Sequence, residues 1–221
     1  MKNLNLSKTI NGLHIEGYPD ALKVIKIKGR NAQRLSNLSL HEDDLRFAKE
    51  CLEAINNISE EIIREALWRS AIIYFIKCFG SNKSRSQLSS SKLYQNEPKE
   101  ALEAFKYFVN LRNKHFIHDE NSYSQSIPGA ILNHGKKNYK IEKIVCGTVR
   151  GVTLENENWG NLKFLIERAI IWVHSEFEET CRKLTDELEK ENYDDLITRD
   201  EMIFSKPSLN EIDKSRKGHK D

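Results

Sequence analysis

The chain has 221 residues, of which 38% are hydrophobic and 31% charged, so it can build a core beneath a strongly solvated surface. The net charge of +2 does not by itself indicate a nucleic-acid-binding protein, but the charge is unevenly distributed. Residues 176–195 hold nine acidic and three basic residues and carry −6, which leaves +8 on the remainder of the chain. That remainder is the part that a polyanion would meet.

The cysteine pattern and the absence of long apolar runs narrow the class of protein further. The four cysteines lack CxxC spacing, which argues against a thiolate zinc site and against a disulfide framework. They are Cys51, Cys78, Cys146 and Cys181. Residues 1–17 lack the apolar centre of a signal peptide, and the longest apolar run, residues 71–76, is too short to cross a bilayer. We therefore expect a cytoplasmic protein with no membrane association.

The helical pattern begins after residues 1–40, which we treat as an N-terminal extension in which residues 24–28 could form a short strand. Apolar residues at helical spacing predict helices over 41–57, 60–79 and 98–118. The second of these is apolar over more than half of its circumference, and we predict that it is the most buried helix.

A change of period follows the third helix. Residues 127–132 and 139–154 predict two strands joined by a glycine-containing loop, which places a hairpin at about 127–154. Residues 157–192 then predict a long amphipathic helix, so the helical domain spans 41–192. Residues 193–221 form a C-terminal extension, whose polar tail (204–221) we expect to be disordered.

The segment 81–92 between the second and third helices contains six serines together with Lys83, Arg85 and Lys92. Such a composition is usual for a flexible, solvated connector. Its position shortly before a candidate site also allows a second interpretation, in which the loop contacts phosphate groups.

The end of the third helix reads LRNKHFIHDE over residues 111–120. At α-helical spacing Arg112 falls in the middle of the apolar stripe, with His115 about 60° and His118 about 120° to one side, and Lys114 points away. An arginine on a buried face is costly unless an anion meets it, such as a carboxylate or a phosphate.

Arginine and histidine together supply what metal-free phosphodiester cleavage needs. The planar guanidinium binds two phosphate oxygens, and the imidazole exchanges protons near neutral pH. Two other interpretations stay open. Arg112 could pair with a core acid, or the basic side chains could simply interact favourably with the negative end of the helix dipole. A metal site is not expected, because no helical acid stands at matching spacing to complete a shell with the two histidines.

The stretch LRNKHFIHDEN resembles the signature of the HEPN superfamily, in which an arginine is followed after four to six residues by a histidine. Arg112 and His118 are separated by five residues, and the polar Asn113 follows the arginine. The wider pattern over residues 41–192, and more closely over 75–121, resembles the HEPN-like branch named for bacterial abortive-infection proteins.

The resemblance implies a mainly α fold, an antiparallel HEPN-like helical bundle, here with a β-hairpin inserted before the long C-terminal helix. It implies a metal-independent endoribonuclease without a cofactor, acting as a toxin or antiphage effector on RNA. It also implies a homodimer with a composite site and a nucleotidyltransferase-type antitoxin or other defence partner. The alternative is a non-catalytic HEPN-like module that binds a nucleotide or a partner protein.

The same resemblance gives roles to individual residues. Arg112 is expected to bind the scissile phosphate, His118 to act as general acid or base, and Asn113 to orient, with His115 as a further catalytic residue. Independently of the resemblance, contacts to RNA away from the cut are expected from four basic side chains. These are Lys83, Arg85, Lys92 and Lys114.

Overall fold

The computed structural model describes residues 6–9, 12–135, 137–203 and 207–214, and the fold is mainly helical, as predicted. The α-helices in these residues are α1 Arg30–Ala54, α2 Glu61–Lys77, α3 Ser90–Leu93, α4 Lys99–Asn110, α5 Asn156–Leu188 and α6 Tyr193–Thr198. A π-helix, Leu111–Ile117, continues α4, and 3-10 turns cover Ile55–Asn57 and Leu209–Glu211. Strands β1 Leu6–Thr9 and β2 Gly12–Ile15 pair antiparallel, as do β3 Ser124–Leu132 and β4 Ile141–Arg150.

The first long helix differs from its prediction at its start. It begins at Arg30, well ahead of the predicted residue 41. Its first turns are polar and are held by side-chain bonds, since Asn31 Nδ2 donates to Glu187 Oε1 at 2.8 Å and Arg34 forms an ion pair with Glu176. Apolar periodicity could not reveal turns that are fixed in this way.

The two extensions also differ from what the sequence suggests. Residues 24–28 contribute an isolated bridge between Ile25 and Glu201 in place of a short strand. Helix α5 ends at Leu188, short of the predicted residue 192, and Asn192 caps the short α6 by accepting a hydrogen bond from the Asp194 N–H at 3.1 Å. Residues 207–214 of the predicted tail hold one 3-10 turn, and its other residues lie outside the described residues.

Contacts along the chain divide it into two compact units. The first contains the described residues of 1–43, 81–87 and 170–221, and the second contains 44–80 and 88–169. Within the first unit, Asn37 Nδ2 donates to Ser86 Oγ at 3.1 Å, and Arg85 Nη1 donates to the Leu40 carbonyl at 3.2 Å. This part of the predicted connector is therefore fixed to α1.

The second unit contains an aromatic and aliphatic core built by α2, α4 and α5. Its buried side chains include Trp68, Ala71, Ile72, Phe75, Ile76, Ala101, Phe105, Phe108, Leu162, Leu165 and Ile166. The polar ends of two buried aromatic residues find partners, since Trp68 Nε1 donates to Thr153 Oγ1 and Tyr94 Oη to the Leu165 carbonyl, both at 3.0 Å. Full burial of each large apolar side chain contributes about 1.5–3 kcal/mol.

The hairpin of β3 and β4 belongs to the second unit but leaves its own side chains in solvent. Apart from the half-buried Ser124, the residues of both strands are exposed. The exposed apolar side chains include Ile127, Ile131, Leu132, Ile141, Ile144, Val145 and Val149. Since isolated two-stranded hairpins are marginal in water, this apolar ribbon is suited to contact another surface.

Candidate functional site

The predicted site segment is a π-helix. The α-helix ends at Asn110, and Leu111–Ile117 follows with wider turns. The His118 N–H donates to the Asn113 carbonyl, five residues earlier, at 3.2 Å. The angular positions of an ordinary α-helix therefore do not apply to this segment, and its widened turn is of the kind that often marks functional sites.

Arg112 is half-buried and incompletely bonded. Its Nη1 donates to Asn113 Oδ1 at 2.7 Å, so the neighbouring amide holds one edge of the guanidinium. Its Nε is buried and has no hydrogen-bond partner among the described residues. A buried unpaired donor of this kind costs about 1–3 kcal/mol, and an anion would satisfy it.

His115 is more deeply placed, with 9% of its surface exposed. Its Nδ1 is buried without a partner in the described part of the chain, and its ring lies 5.5 Å from that of Tyr123. Burial, followed by the charge of Arg69, lowers the pKa of His115, while Asp119 and Glu65 act in the opposite direction. His115 is therefore a neutral imidazole at pH 7.

Tyr123 is held against His115 by a close backbone approach. The Gly151 N–H donates to the Tyr123 carbonyl at 2.7 Å. A Cβ at position 151 would lie 2.6 Å from Cδ1 of Tyr123, so only glycine leaves the ring where it is. The backbone just after β4 thus helps to hold the Tyr123 ring beside His115.

His118 lies at the end of the π-helix and is exposed. Across the described residues, no hydrogen bond or ion pair joins its imidazole to Arg112. Asp119 follows it with a φ of +50°, the one non-glycine positive φ in the described ranges. This backbone strain turns the chain from the π-helix towards β3.

Two adjoining cavities open beside the π-helix within the second unit. The first, of about 390 Å³, is lined by Arg69, His115, Asp119, Ser124, Gln125, Ser126, Thr148 and Arg150. The second, of about 670 Å³, shares Arg69, His115 and Arg150 and adds the apolar side chains Ile62, Val152 and Leu154. Neither lining includes Arg112 or His118, so the structure places His115 at these cavities and the other two motif residues elsewhere.

The two cavity arginines were not foreseen from the sequence. Arg69 interrupts the apolar helix α2, where its Nε lies 2.6 Å from Glu65 Oε1 and its guanidinium lies 4.8 Å from the Phe116 ring centroid. Arg150 ends β4 and forms no ion pair with the described residues. A charge within an apolar helix is the sequence signal that could have pointed to Arg69. Arg150 has no such signal, because only the fold brings it close to Arg69.

The four predicted RNA contacts differ in their surroundings. Lys83, Lys92 and Lys114 are exposed, whereas Arg85 is half-buried and donates to the Leu40 carbonyl. Lys83 and Arg85 belong to the first unit, and Lys92 and Lys114 belong to the second.

Comparisons with protein-family models, with curated proteins and with solved structures find no significant match to this chain. Within the described ranges, no group of three or more His, Cys, Asp or Glu side chains is arranged to hold a metal ion. The helices of those ranges also lack the length and apolar character of a membrane span.

Proposed function

We propose that this protein is a metal-independent endoribonuclease of the HEPN type, a cytoplasmic toxin or antiphage effector. The observation that supports it most is the π-helix, whose seven residues contain Arg112, Asn113, Lys114 and His115 and whose C-cap is His118. The buried, unpaired Nε of Arg112 adds a donor that a scissile phosphate would satisfy.

The proposed reaction is an attack by the ribose 2′-hydroxyl on the adjacent phosphorus. The 2′-O–P bond forms and the P–O5′ bond breaks, which leaves a 2′,3′-cyclic phosphate and a 5′-hydroxyl. Arg112 stabilises the charge of the phosphorane, and Asn113 holds the guanidinium in place. His118 exchanges a proton with the attacking or the leaving oxygen, and the neutral His115 is able to accept one at pH 7.

We place this chemistry in a homodimer whose two motif helices meet. Two features support a second copy: His118 is exposed, and no bond of the described residues fixes it to Arg112 of the same chain. Mixing inactive Arg112→Ala subunits with inactive His118→Ala subunits should restore cleavage if the site is composite. A molar mass of one chain by light scattering, together with full activity, would contradict the dimer. A nucleotidyltransferase-type antitoxin or other defence partner belongs to the same proposal.

The test is RNA cleavage by the purified protein in EDTA. We expect wild-type cleavage to survive chelation, and His118→Ala to lower its rate by about 10²–10⁴-fold. His174→Ala is the matched control, because His174 is an exposed histidine of α5 outside the motif. Loss of cleavage in EDTA with recovery on adding a divalent ion would replace this mechanism with a metal-dependent one.

A non-catalytic interaction module is the second candidate, and the hairpin favours it. Its strands expose apolar side chains on both faces, as a partner-binding ribbon would. In that case purified wild-type protein and His118→Ala would be equally inactive on RNA. Substitution of Ile127 and Val149 by serine would then abolish partner binding in cells.

A further inference from the structure

The root of the β3–β4 hairpin presents a polar face to the first cavity. The register pairs Ser124 with Arg150 and Ser126 with Thr148. Directly paired residues and every second residue of a strand share one face, so these four side chains lie together. Three hydroxyl donors and one guanidinium therefore form one wall of the cavity.

Arg69 and His115 lie on the other side of the same cavity. Glu65 takes the Nε edge of Arg69 and Phe116 lies against its plane, so the terminal nitrogens are held in a fixed direction. His115 is nine-tenths buried, and its unpartnered Nδ1 is a second sign that the polar groups here are not satisfied by the described residues.

The first cavity offers an anion a guanidinium without an ion pair. Its lining contains two arginines and the carboxylate of Asp119; Glu65 pairs with Arg69, whereas Arg150 forms no ion pair with the described residues. A phosphodiester carries a single negative charge, and its oxygens suit both planar guanidinium forks and hydroxyl donors.

We propose that this cavity binds a phosphodiester of a single-stranded nucleic acid, held between Arg69 and Arg150. The adjoining cavity, with Ile62, Val152 and Leu154 in its wall, accepts an attached base or sugar. The inference goes beyond the proposed ribonuclease, because such a site would bind a strand whether or not the chain cuts RNA.

The probe is a short fluorescein-labelled oligothymidylate without terminal phosphate, which lacks 2′-hydroxyls and cannot be cut by the proposed chemistry. We expect Arg150→Gln to weaken binding about tenfold and to lower the salt slope by about one, since one phosphate contact is lost. Lys143→Gln is the matched control, because Lys143 lies on the same strand but on the opposite face and should leave binding near wild type.

Asp119→Asn separates an anion site from a cation site. Asparagine adopts a positive φ as readily as aspartate, so the backbone is preserved while a negative charge is removed. We expect this variant to bind the oligothymidylate several-fold more tightly. Weaker binding by Asp119→Asn, or equal binding by Arg150→Gln and wild type, would overturn the proposal.

Inorganic phosphate serves as the competitor that identifies the source of the ligand. If inorganic phosphate raises the melting temperature of the wild-type protein but the oligothymidylate does not bind, a nucleic-acid strand is not the ligand. Failure of RNA cleavage together with the expected oligothymidylate results would instead refute the ribonuclease and leave this site in place.

Discussion

The α-helix α4 and the π-helix that continues it use their inward-facing residues in opposite ways. Those of α4 are apolar: Ala101, Phe105 and Phe108 are buried. The π-helix also buries an apolar residue, Leu111, but it adds two buried polar groups, Nε of Arg112 and Nδ1 of His115, and leaves both without partners among the described residues. One continuous helical run thus supplies core packing at its start and unsatisfied polar groups at its end.

The buried residues of α4 stabilise the fold, whereas the unpaired polar groups of the π-helix destabilise it. Each buried phenylalanine of α4 contributes about 1.5–3 kcal/mol, whereas each unpaired buried polar group costs about 1–3 kcal/mol. The packing of α4 can therefore offset the cost of the π-helix. Unfavourable local features of this kind cluster at functional sites, where the surrounding structure holds them in place.

The largest effect is expected from breaking the α4 half. Phe108 is fully buried and contacts Trp68 with ring centroids 6.0 Å apart. Phe108→Ala should lower the free energy of unfolding by about 3–5 kcal/mol through lost burial and a cavity, as measured by urea denaturation. Ile117→Ala, at an exposed position of the π-helix, should change it by less than about 0.5 kcal/mol. Equal losses in the two variants would contradict the division between core and site.

The next effect concerns chemistry alone. Arg112→Lys keeps the charge but loses the planar fork, so RNA cleavage should fall about 10–100-fold while the urea midpoint stays near wild type. Arg168→Lys is the control, since Arg168 is an arginine of the same unit whose Nε lies 3.1 Å from Glu97 Oε1 outside the motif. Unchanged cleavage by Arg112→Lys would contradict a role in catalysis and favour the alternatives, in which Arg112 pairs with a core acid or interacts with the helix dipole.

Local sequence patterns predicted the centres of the helices and the hairpin, because apolar periodicity reflects which face is buried. They missed the start of α1, where polar side chains such as Asn31 hold the first turns through distant partners. They also missed the π-helix, since its residues would suit an ordinary α-helix equally well. Its surroundings are tertiary: Tyr123 lies beside His115, and Arg69 lies over Phe116.

The candidate site was accessible to sequence reasoning only in part. The spacing of Arg112 and His118 could be recognised because both belong to one short segment. Arg69 and Arg150 are far apart in the chain, and only the packing of α2 and the hairpin brings them to one cavity. A pairing of that kind leaves no local pattern in the sequence.

His115 allows a smaller test of the same comparison, through pH. Its folded pKa is lowered from 6.5 by burial and by Arg69, with Arg150 adding to the effect and Asp119 and Glu65 opposing it. Below pH 6.5 the unfolded chain therefore binds more protons than the folded chain. The contribution of the neutral His115 to the free energy of unfolding is fully present above pH 6.5 and is lost as the pH falls towards the folded pKa.

We expect the urea midpoint of the wild type to fall more steeply between pH 7.5 and about 5 than that of His115→Asn. His174→Asn, at an exposed position, controls for the loss of an imidazole. Parallel pH curves for His115→Asn and wild type would show that burial does not lower the pKa of His115.

The smallest effect is expected outside both halves of the helix, in the segment 81–92, whose last three residues belong to α3. Lys83 and Lys92 are exposed, whereas Arg85 also bonds the Leu40 carbonyl and is left unchanged to preserve the loop. Replacing both lysines with alanine should weaken RNA binding only modestly and lower its salt slope by about one to two, because fewer counterions are released. The control is Lys99→Ala with Lys106→Ala on α4, which removes the same charge from the core-packing half and should leave the slope unchanged. If both double variants lower the slope equally, the loop contributes only general charge and the interpretation as a connector is the correct one.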